Sequence, residues 1–445
     1  MEGVGGVLEI SAAALTANVS TLQQIAACEV LGVIKAEAYG HGAALCAPVL
    51  ARARVGWLGV TDASEGMRVR HSLRAAGFDD ASVEVLMMAG VSPQDEAALA
   101  SIVRDRLTPV VWMPEQVAAL EQTVAAFGQG VRVHVECDTG MNRQGVRSEA
   151  AAAALFSRLH EARGITVSGL MSHLASAEVR DATATKHAQQ RFEHFAAQAL
   201  DAGLRPEWLH LENTSAVDDG GSHTFLRQLA KRCEARAMVR CGLALYGYSL
   251  PLERVACRSF LSPEEHSAVS GAAASKRMPS TLLEVARPHS AGKAVAIAST
   301  PRSRFAGRLQ PALRWLCPVL EVREVAAGEC LGYGETFVAE REMRVALLTV
   351  GYADGLRREA SSGLPRDGAA AGWVRLCGAA APIVGRVSMN LVCVDVTAIP
   401  DAAPGTEAVL LGPGVTAEDH ARWAGTIPYE ILCGLRGERV LVAAF

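Results

Sequence analysis

Val30-Leu31-Gly32-Val33-Ile34-Lys35-Ala36-Glu37-Ala38-Tyr39-Gly40-His41-Gly42 is an apolar strand pattern that ends on a lysine and passes at once into a Gly/His/Tyr turn. An open doubly wound sheet would follow its first strand with a glycine-rich dinucleotide turn. Tyr39-Gly40-His41-Gly42 does not have that spacing, so the strand opens another kind of parallel sheet. The lysine also stands out. The chain has only five, at 35, 186, 231, 276 and 293, and carries its remaining basic charge on arginine. A desolvated amine has a depressed pKa and can form a Schiff base. Arginine cannot, because it does not deprotonate. The plainer account of Lys35 is a side chain reaching water from a strand end.

Outward from this stretch, short apolar strands alternate with Ala-rich helical stretches. The strand candidates are Val30–Lys35, Trp57–Thr61, Val83–Met88, Pro109–Trp112, Val131–Glu136, Thr166–Ser172, Trp208–Glu212 and Met238–Gly242. Helical segments such as Glu115–Ala126, Glu149–Ala162 and Thr185–Ala202 lie between them. Alternation of this kind builds parallel βαβ units, and eight units in this length match a (β/α)8 barrel. After Gly247 the texture changes. Residues 250–310 are rich in Ser, Ala, Pro and Arg with weak periodicity, which reads as a solvated insertion. Short β runs then follow: Val319–Val325, Met343–Tyr352, Trp373–Cys377, Ala381–Ser388, Leu391–Val396 and Ala408–Gly412. The expected organisation is α/β: a barrel over 1–247, an insertion or linker over 248–310, and a mostly-β domain over 311–445.

Composition narrows the function classes. A net charge of −4 leaves no polyanion footprint, so nucleic acid is not an expected partner. No apolar run reaches membrane-spanning length and no signal-peptide pattern opens the chain, so neither a membrane nor export is expected. The eleven cysteines include no CxxC pair to suggest a metal site. Several, such as Cys317, Cys377 and Cys393, lie in strand-like runs as small core residues. A reducing cytoplasm is the expected location.

Barrel enzymes place their chemistry at the C-terminal ends of the strands. Lys35 and Tyr39 follow the first strand, and Asp138-Thr139-Gly140-Met141-Asn142-Arg143-Gln144-Gly145 the fifth. Ser172-His173 follows the sixth, Asn213-Thr214-Ser215 the seventh, and Arg240-Cys241-Gly242-Leu243-Ala244-Leu245-Tyr246-Gly247 closes the eighth. Polar groups therefore converge on one rim. The last two strands supply a hydroxyl, a glycine and backbone amides where barrels commonly bind phosphate. Taken singly, Thr214 and Gly242 are also ordinary turn residues.

These segments resemble, in order, the motifs of alanine racemases. Val33, Lys35, Ala36, Ala38, Tyr39, Gly40, His41 and Gly42 match the family's V-x-K-A-N-A-Y-G-H-G. Asp138–Gly145 resembles D-T-G-M-x-R-x-G, Ser172-His173 resembles T-H, Asn213-Thr214 resembles N-S, and Val239–Gly242 resembles V-R-P-G. In the second domain Gly332-Tyr333-Gly334 resembles S-Y-G. Gly351-Tyr352-Ala353-Asp354-Gly355 is identical to G-Y-A-D-G, Gly385–Asn390 resembles G-R-x-S-M-D, and Ile427-Pro428-Tyr429-Glu430 the terminal tyrosine motif. The resemblance spans the chain except roughly residues 250–310.

The resemblance implies a pyridoxal 5′-phosphate enzyme that interconverts L- and D-alanine and supplies D-alanine for peptidoglycan. It implies that Lys35 carries the cofactor covalently. Tyr39, Thr214, Gly242, Leu243 and Tyr429 would hold the phosphate, His173 would lie against the ring, Arg143 would face its phenolic oxygen, and Arg240 would meet its pyridine nitrogen. Tyr333 and Met389 would come from the partner of a homodimer with shared sites, Tyr333 as the second acid/base and Met389 toward the substrate carboxylate. Tyr352 would support them. Two site residues depart from the pattern. Glu136 stands where many members have a carbamylated lysine, and its carboxylate is expected to brace Arg143 directly. Asn390 replaces the usual Asp, which leaves serine or a broader set of amino acids as alternative substrates. A non-catalytic pyridoxal-phosphate-binding barrel would lack the second domain. A decarboxylase of the same architecture would want a cysteine acid, and Cys330 is the nearest residue to one.

Overall fold

The computed structural model describes residues 6–180, 182–220, 223–254, 303–362 and 371–445. Eight strands close a barrel: Glu29–Val33, Trp57–Val60, Glu84–Met87, Leu107–Val111, Val131–Glu136, Ile165–Met171, Trp208–Asn213 and Arg236–Cys241. Every pairing is parallel, and the eighth strand returns to the first through Met238 opposite Glu29. These are the eight expected strands. Their continuous apolar runs follow from burial on both faces, inward into the barrel and outward under helices. All residues of Trp57–Val60 and Leu107–Val111 are buried.

The helices begin where capping chemistry allows. Ser148 accepts from the Ala151 amide at 3.2 Å and opens Glu149–Glu161. Asp62 does the same for Ala63–Ala75 through the Glu65 amide at 2.9 Å. Each cap satisfies an amide that the first helical turn would otherwise leave unpaired.

Beyond the barrel lies a sheet of eight strands. Its order is Met343–Leu348, Val392–Asp395, Ala379–Val384, Trp373–Leu376, Glu407–Leu411, Leu313–Val325, Val7–Ser11 and Glu438–Val442. The 13-residue strand Leu313–Val325 also pairs with Met343–Leu348, so six strands form a closed ring of pairings. The division at 1–247 had placed Val7–Ser11 with the barrel. It lies instead in this sheet, antiparallel to Leu313–Val325 and parallel to Glu438–Val442. Alternation in Leu8-Glu9-Ile10 buries Leu8 and Ile10, while Glu9 pairs with Arg314 across the strands at 2.5 Å. The second domain is mostly β, as expected, but among its described residues carries two helices that its short β runs obscured. Ala417–Ala424 starts at a Thr416/Asp419 capping box, and Pro428–Gly434 starts with proline in its first turn. The proposed insertion falls largely on residues 255–302, outside the described residues.

The domains meet at the lysine turn. The Leu432 carbonyl packs where a side chain on Gly40 would sit, 2.1 Å from a Cβ placed there. Arg439 Nε donates to the Gly40 carbonyl at 2.7 Å. The last helix and last strand of the chain thus brace the segment with which the site begins.

Candidate active site

Lys35 opens a turn of opposite hand to an ordinary helix. Ala36, Glu37, Ala38 and Tyr39 have φ of 51°, 54°, 53° and 53°. Left-handed backbone costs an L-residue roughly 1–2 kcal/mol, so the turn must be held from outside. Glu65 accepts from the Ala36 amide at 2.8 Å and from Thr61 at 2.7 Å. Glu37, where the family has Asn, accepts from the Ala43 amide at 3.1 Å and faces Arg68 at 3.4 Å. His41 Nδ1 lies 3.0 Å from the carbonyls of both Ala38 and Tyr39. Carbonyls only accept, so that nitrogen carries the proton. The sequence showed a turn here but not its hand, because its glycines flank the strained residues rather than occupy them.

The turn delivers Lys35 to a cavity of 410 Å³ at the C-terminal rim of the barrel. Lys35, Tyr39, Glu136, Arg143, His173, Thr214, Arg240, Gly242 and Tyr429 all line it. Leu243 is fully buried directly behind Gly242. Tyr333, Tyr352 and Met389 are elsewhere, on the second domain, with 70%, 44% and 56% of their surface exposed. Asn213, Gln144 and Thr61 also line the cavity and were not singled out. Gln144 lay inside a quoted motif at a position the family leaves open.

At one end of the cavity is an amine. Burial lowers the Lys35 pKa, and the positive charges of Arg143 and Arg240 act the same way. At the other end hydroxyls meet backbone. The Gly242 amide donates to Thr214 Oγ1 at 3.1 Å. A Cβ on Gly242 would lie 2.3 Å from the Tyr39 hydroxyl, so only glycine lets that phenol reach the backbone. The Tyr39 and Tyr429 rings lie 5.7 Å apart. Burial keeps both phenols protonated, Tyr429 with its pKa pushed up to about 12.

Arg240 occupies the floor. It donates to the Ser172 carbonyl at 2.6 Å and lies 3.0 Å from His210 Nδ1 and 2.9 Å from His173 Nδ1. Burial lowers it to about 10, which leaves it cationic at neutral pH. His173 is pushed down to about 3 by burial and by Arg240, Arg143 and Lys35, so it is neutral. Glu136 departs from its expected role. It is 3% exposed, and no ion pair joins it to Arg143 among the described residues. Its carboxylate accepts instead from Gln144 Nε2, whose amide also donates to the Met88 carbonyl at 2.9 Å. The charges of Arg240 and Arg143 reach Glu136 only through space. Burial raises the Glu136 pKa, and Gln144, Arg240 and Arg143 oppose the rise.

The cavity suits pyridoxal phosphate: an amine for its aldehyde, two arginine cations in the lining, and a hydroxyl-and-amide cradle that a Cβ would fill. The family model "Alanine racemase, N-terminal domain" matches residues 10–250, and "Alanine racemase, C-terminal domain" matches 312–442. An alanine racemase of Acidiphilium cryptum is 33% identical over 433 residues, covering 96% of each chain. One of Pseudomonas entomophila is 32% identical over 423 residues, covering 95% of this chain and 94% of its own. The solved alanine racemase of Streptomyces coelicolor superposes with a TM-score of 0.75 at 28% identity, covering 98% of both chains. The chain belongs to the alanine racemase family, the pyridoxal-phosphate-dependent enzymes that interconvert L- and D-alanine.

Proposed function

We propose that racemisation here uses two groups on opposite faces of the substrate, Lys35 from one chain and Tyr333 of the partner subunit. The observation that carries this is the separation of the two. Lys35 is desolvated in the cavity, while Tyr333 is 70% exposed on the other domain and lines no part of it. A second copy of the chain supplies what one copy lacks. Bound pyridoxal phosphate would supply an electron sink for the pair left at Cα. Lys35, with its lowered pKa, takes the proton from one face as a neutral amine. The Tyr333 hydroxyl delivers a proton to the opposite face, and the roles exchange in the reverse direction. Arg240 and Arg143 would hold the cofactor ring. Thr214, Gly242, Leu243, Tyr39 and Tyr429 hold its phosphate. Met389 of the partner subunit offers its amide to the substrate carboxylate, beside Tyr352. Among the described residues every cysteine is a free thiol, which suits the cytoplasm and D-alanine supply for peptidoglycan. No described helix is long and apolar enough to cross a membrane.

The test is subunit complementation. Lys35→Ala and Tyr333→Phe should each be nearly inactive, and mixed chains should recover part of the activity in sites that draw one intact group from each. Demonstrated subunit exchange without recovery would place both groups in one chain.

A further inference from the structure

Arg240 ends a chain of rings that runs down inside the barrel. Its Nη2 lies 2.9 Å from His173 Nδ1 and its Nη1 3.0 Å from His210 Nδ1. His210 Nε2 lies in turn 2.8 Å from His134 Nδ1. A guanidinium has donors only, so both Nδ1 atoms facing it must be bare lone pairs. A neutral imidazole carries one proton, which puts the proton of His210 on Nε2. His134 Nδ1 must then accept it, and the proton of His134 sits on Nε2, a buried atom with no hydrogen-bond partner among the described residues, where the relay ends. Each step forces the next. Burial keeps the rings neutral: His134 and His173 are pushed down to about 3, and His210 is well below its usual range.

The surrounding backbone is built around this chain. Barrel interiors are ordinarily packed with branched aliphatic side chains. Here both His134 and His210 are fully buried. The neighbouring strand gives up a side chain to admit the ring: a Cβ on Gly169 would lie 2.6 Å from three atoms of His134. The strand register shifts between Val133 and His134, and again between Met238 and Arg240. Such irregularities re-aim side chains. They fall at the two ends of the relay. The Trp57 ring, 5.1 Å from that of His134, walls the lower side.

We propose that His134 is a positioning residue for Arg240: by accepting from His210 Nε2 it fixes the tautomer that leaves His210 Nδ1 open to the guanidinium. Without an acceptor at 134 the His210 Nε2 proton is buried and unpaired. Moving it to Nδ1 would set two donors against each other, and Arg240 would shift. The catalytic consequence rests on the proposed place of Arg240 against the cofactor ring; the tautomer assignment does not.

The experiment is ¹⁵N NMR on the holoenzyme with labelled histidine, joined to kinetics of His134→Gln and His134→Leu. Wild-type His210 should be protonated on Nε2 and bare on Nδ1, with His134 and His173 also bare on Nδ1. His134→Leu fills the space without accepting. It should change the His210 tautomer and lower kcat about tenfold, the order expected when one buried hydrogen bond is lost, with KM for alanine little changed. His134→Gln presents a carbonyl oxygen and should restore both. A wild-type His210 protonated on Nδ1 overturns the relay, and that measurement needs no variant to fold. Equal defects in Leu and Gln variants reduce His134 to packing. A changed tautomer with unchanged kcat refutes the place of Arg240 at the cofactor.

Discussion

Glu136→Gln separates the charge of this carboxylate from its shape. Glu136 is buried, accepts from Gln144, and lies within electrostatic reach of Arg143 and Arg240 with no hydrogen bond or ion pair to either among the described residues. The amide keeps an oxygen for Gln144 Nε2, so the hydrogen bond survives and only the charge is lost. The loss the site feels is the weakened attraction for the two guanidiniums, smaller than the roughly 1.5–3 kcal/mol of a direct hydrogen bond to a charged group. The expected loss is about 1–2 kcal/mol, or roughly five- to thirtyfold in turnover or cofactor affinity. A carboxylate also needs no carbon dioxide to form, unlike a carbamate, so the wild type should be indifferent to removal of bicarbonate.

Stability should move the other way. The folded pKa of Glu136 is raised by burial, so the protein holds its proton more tightly than the unfolded chain does. The ionised carboxylate therefore costs stability above the unfolded pKa of about 4.3. The cost grows as pH rises from there through the folded value. Glu136→Gln removes it. The variant should melt higher than wild type at pH 7, and the difference should vanish below about pH 4. Titrating Tm and turnover side by side checks both signs. A variant with unchanged activity, one whose stability advantage over wild type is no greater at pH 7 than at pH 4, or a wild type that needs bicarbonate would each refute the reasoning.

Borohydride reduction of the holoenzyme should abolish its long-wavelength absorbance and label a Lys35 peptide; a label on Lys186 or Lys231 would refute the assignment. Gly242→Ala forces a methyl to within 2.3 Å of the Tyr39 hydroxyl, so equilibrium dialysis should show pyridoxal phosphate affinity falling at least about tenfold, the equivalent of 1.4 kcal/mol. Arg439→Met frees the Gly40 carbonyl; chemical denaturation should show a loss of about 1–3 kcal/mol, and cofactor titration weaker binding.

The barrel was legible because its strands are buried on both faces. An unbroken apolar run such as Trp57–Val60 leaves little else for the chain to do, and predicted and observed ends differ by only one or two residues. The rim of the site was legible for the same reason, since strand ends fix which residues meet. What was not legible depends on partners distant in sequence. Val7–Ser11 is a strand because Leu313–Val325 and Glu438–Val442 flank it. Five residues with two buried aliphatics do not announce that. Glu136 was assigned to Arg143 by position alone, whereas side-chain direction and the unremarked Gln144 decided its partner. His134 and His210 gave no signal at all, because a lone histidine in an apolar strand looks the same whether it relays or merely packs.

The strained turn links these observations. Four consecutive left-handed residues cost about 4–8 kcal/mol if each costs 1–2, a sum comparable to the whole stability of many domains. No single contact offsets that. The holding groups come from three places: Glu65 on the second barrel helix, His41 within the turn itself, and Arg439 with the Leu432 backbone from the far end of the chain. The barrel alone would lack the last of these. Docking of the second domain therefore does more than carry Tyr333 and Met389 on its surface. It completes the set of contacts that holds the turn from which Lys35 reaches its cavity.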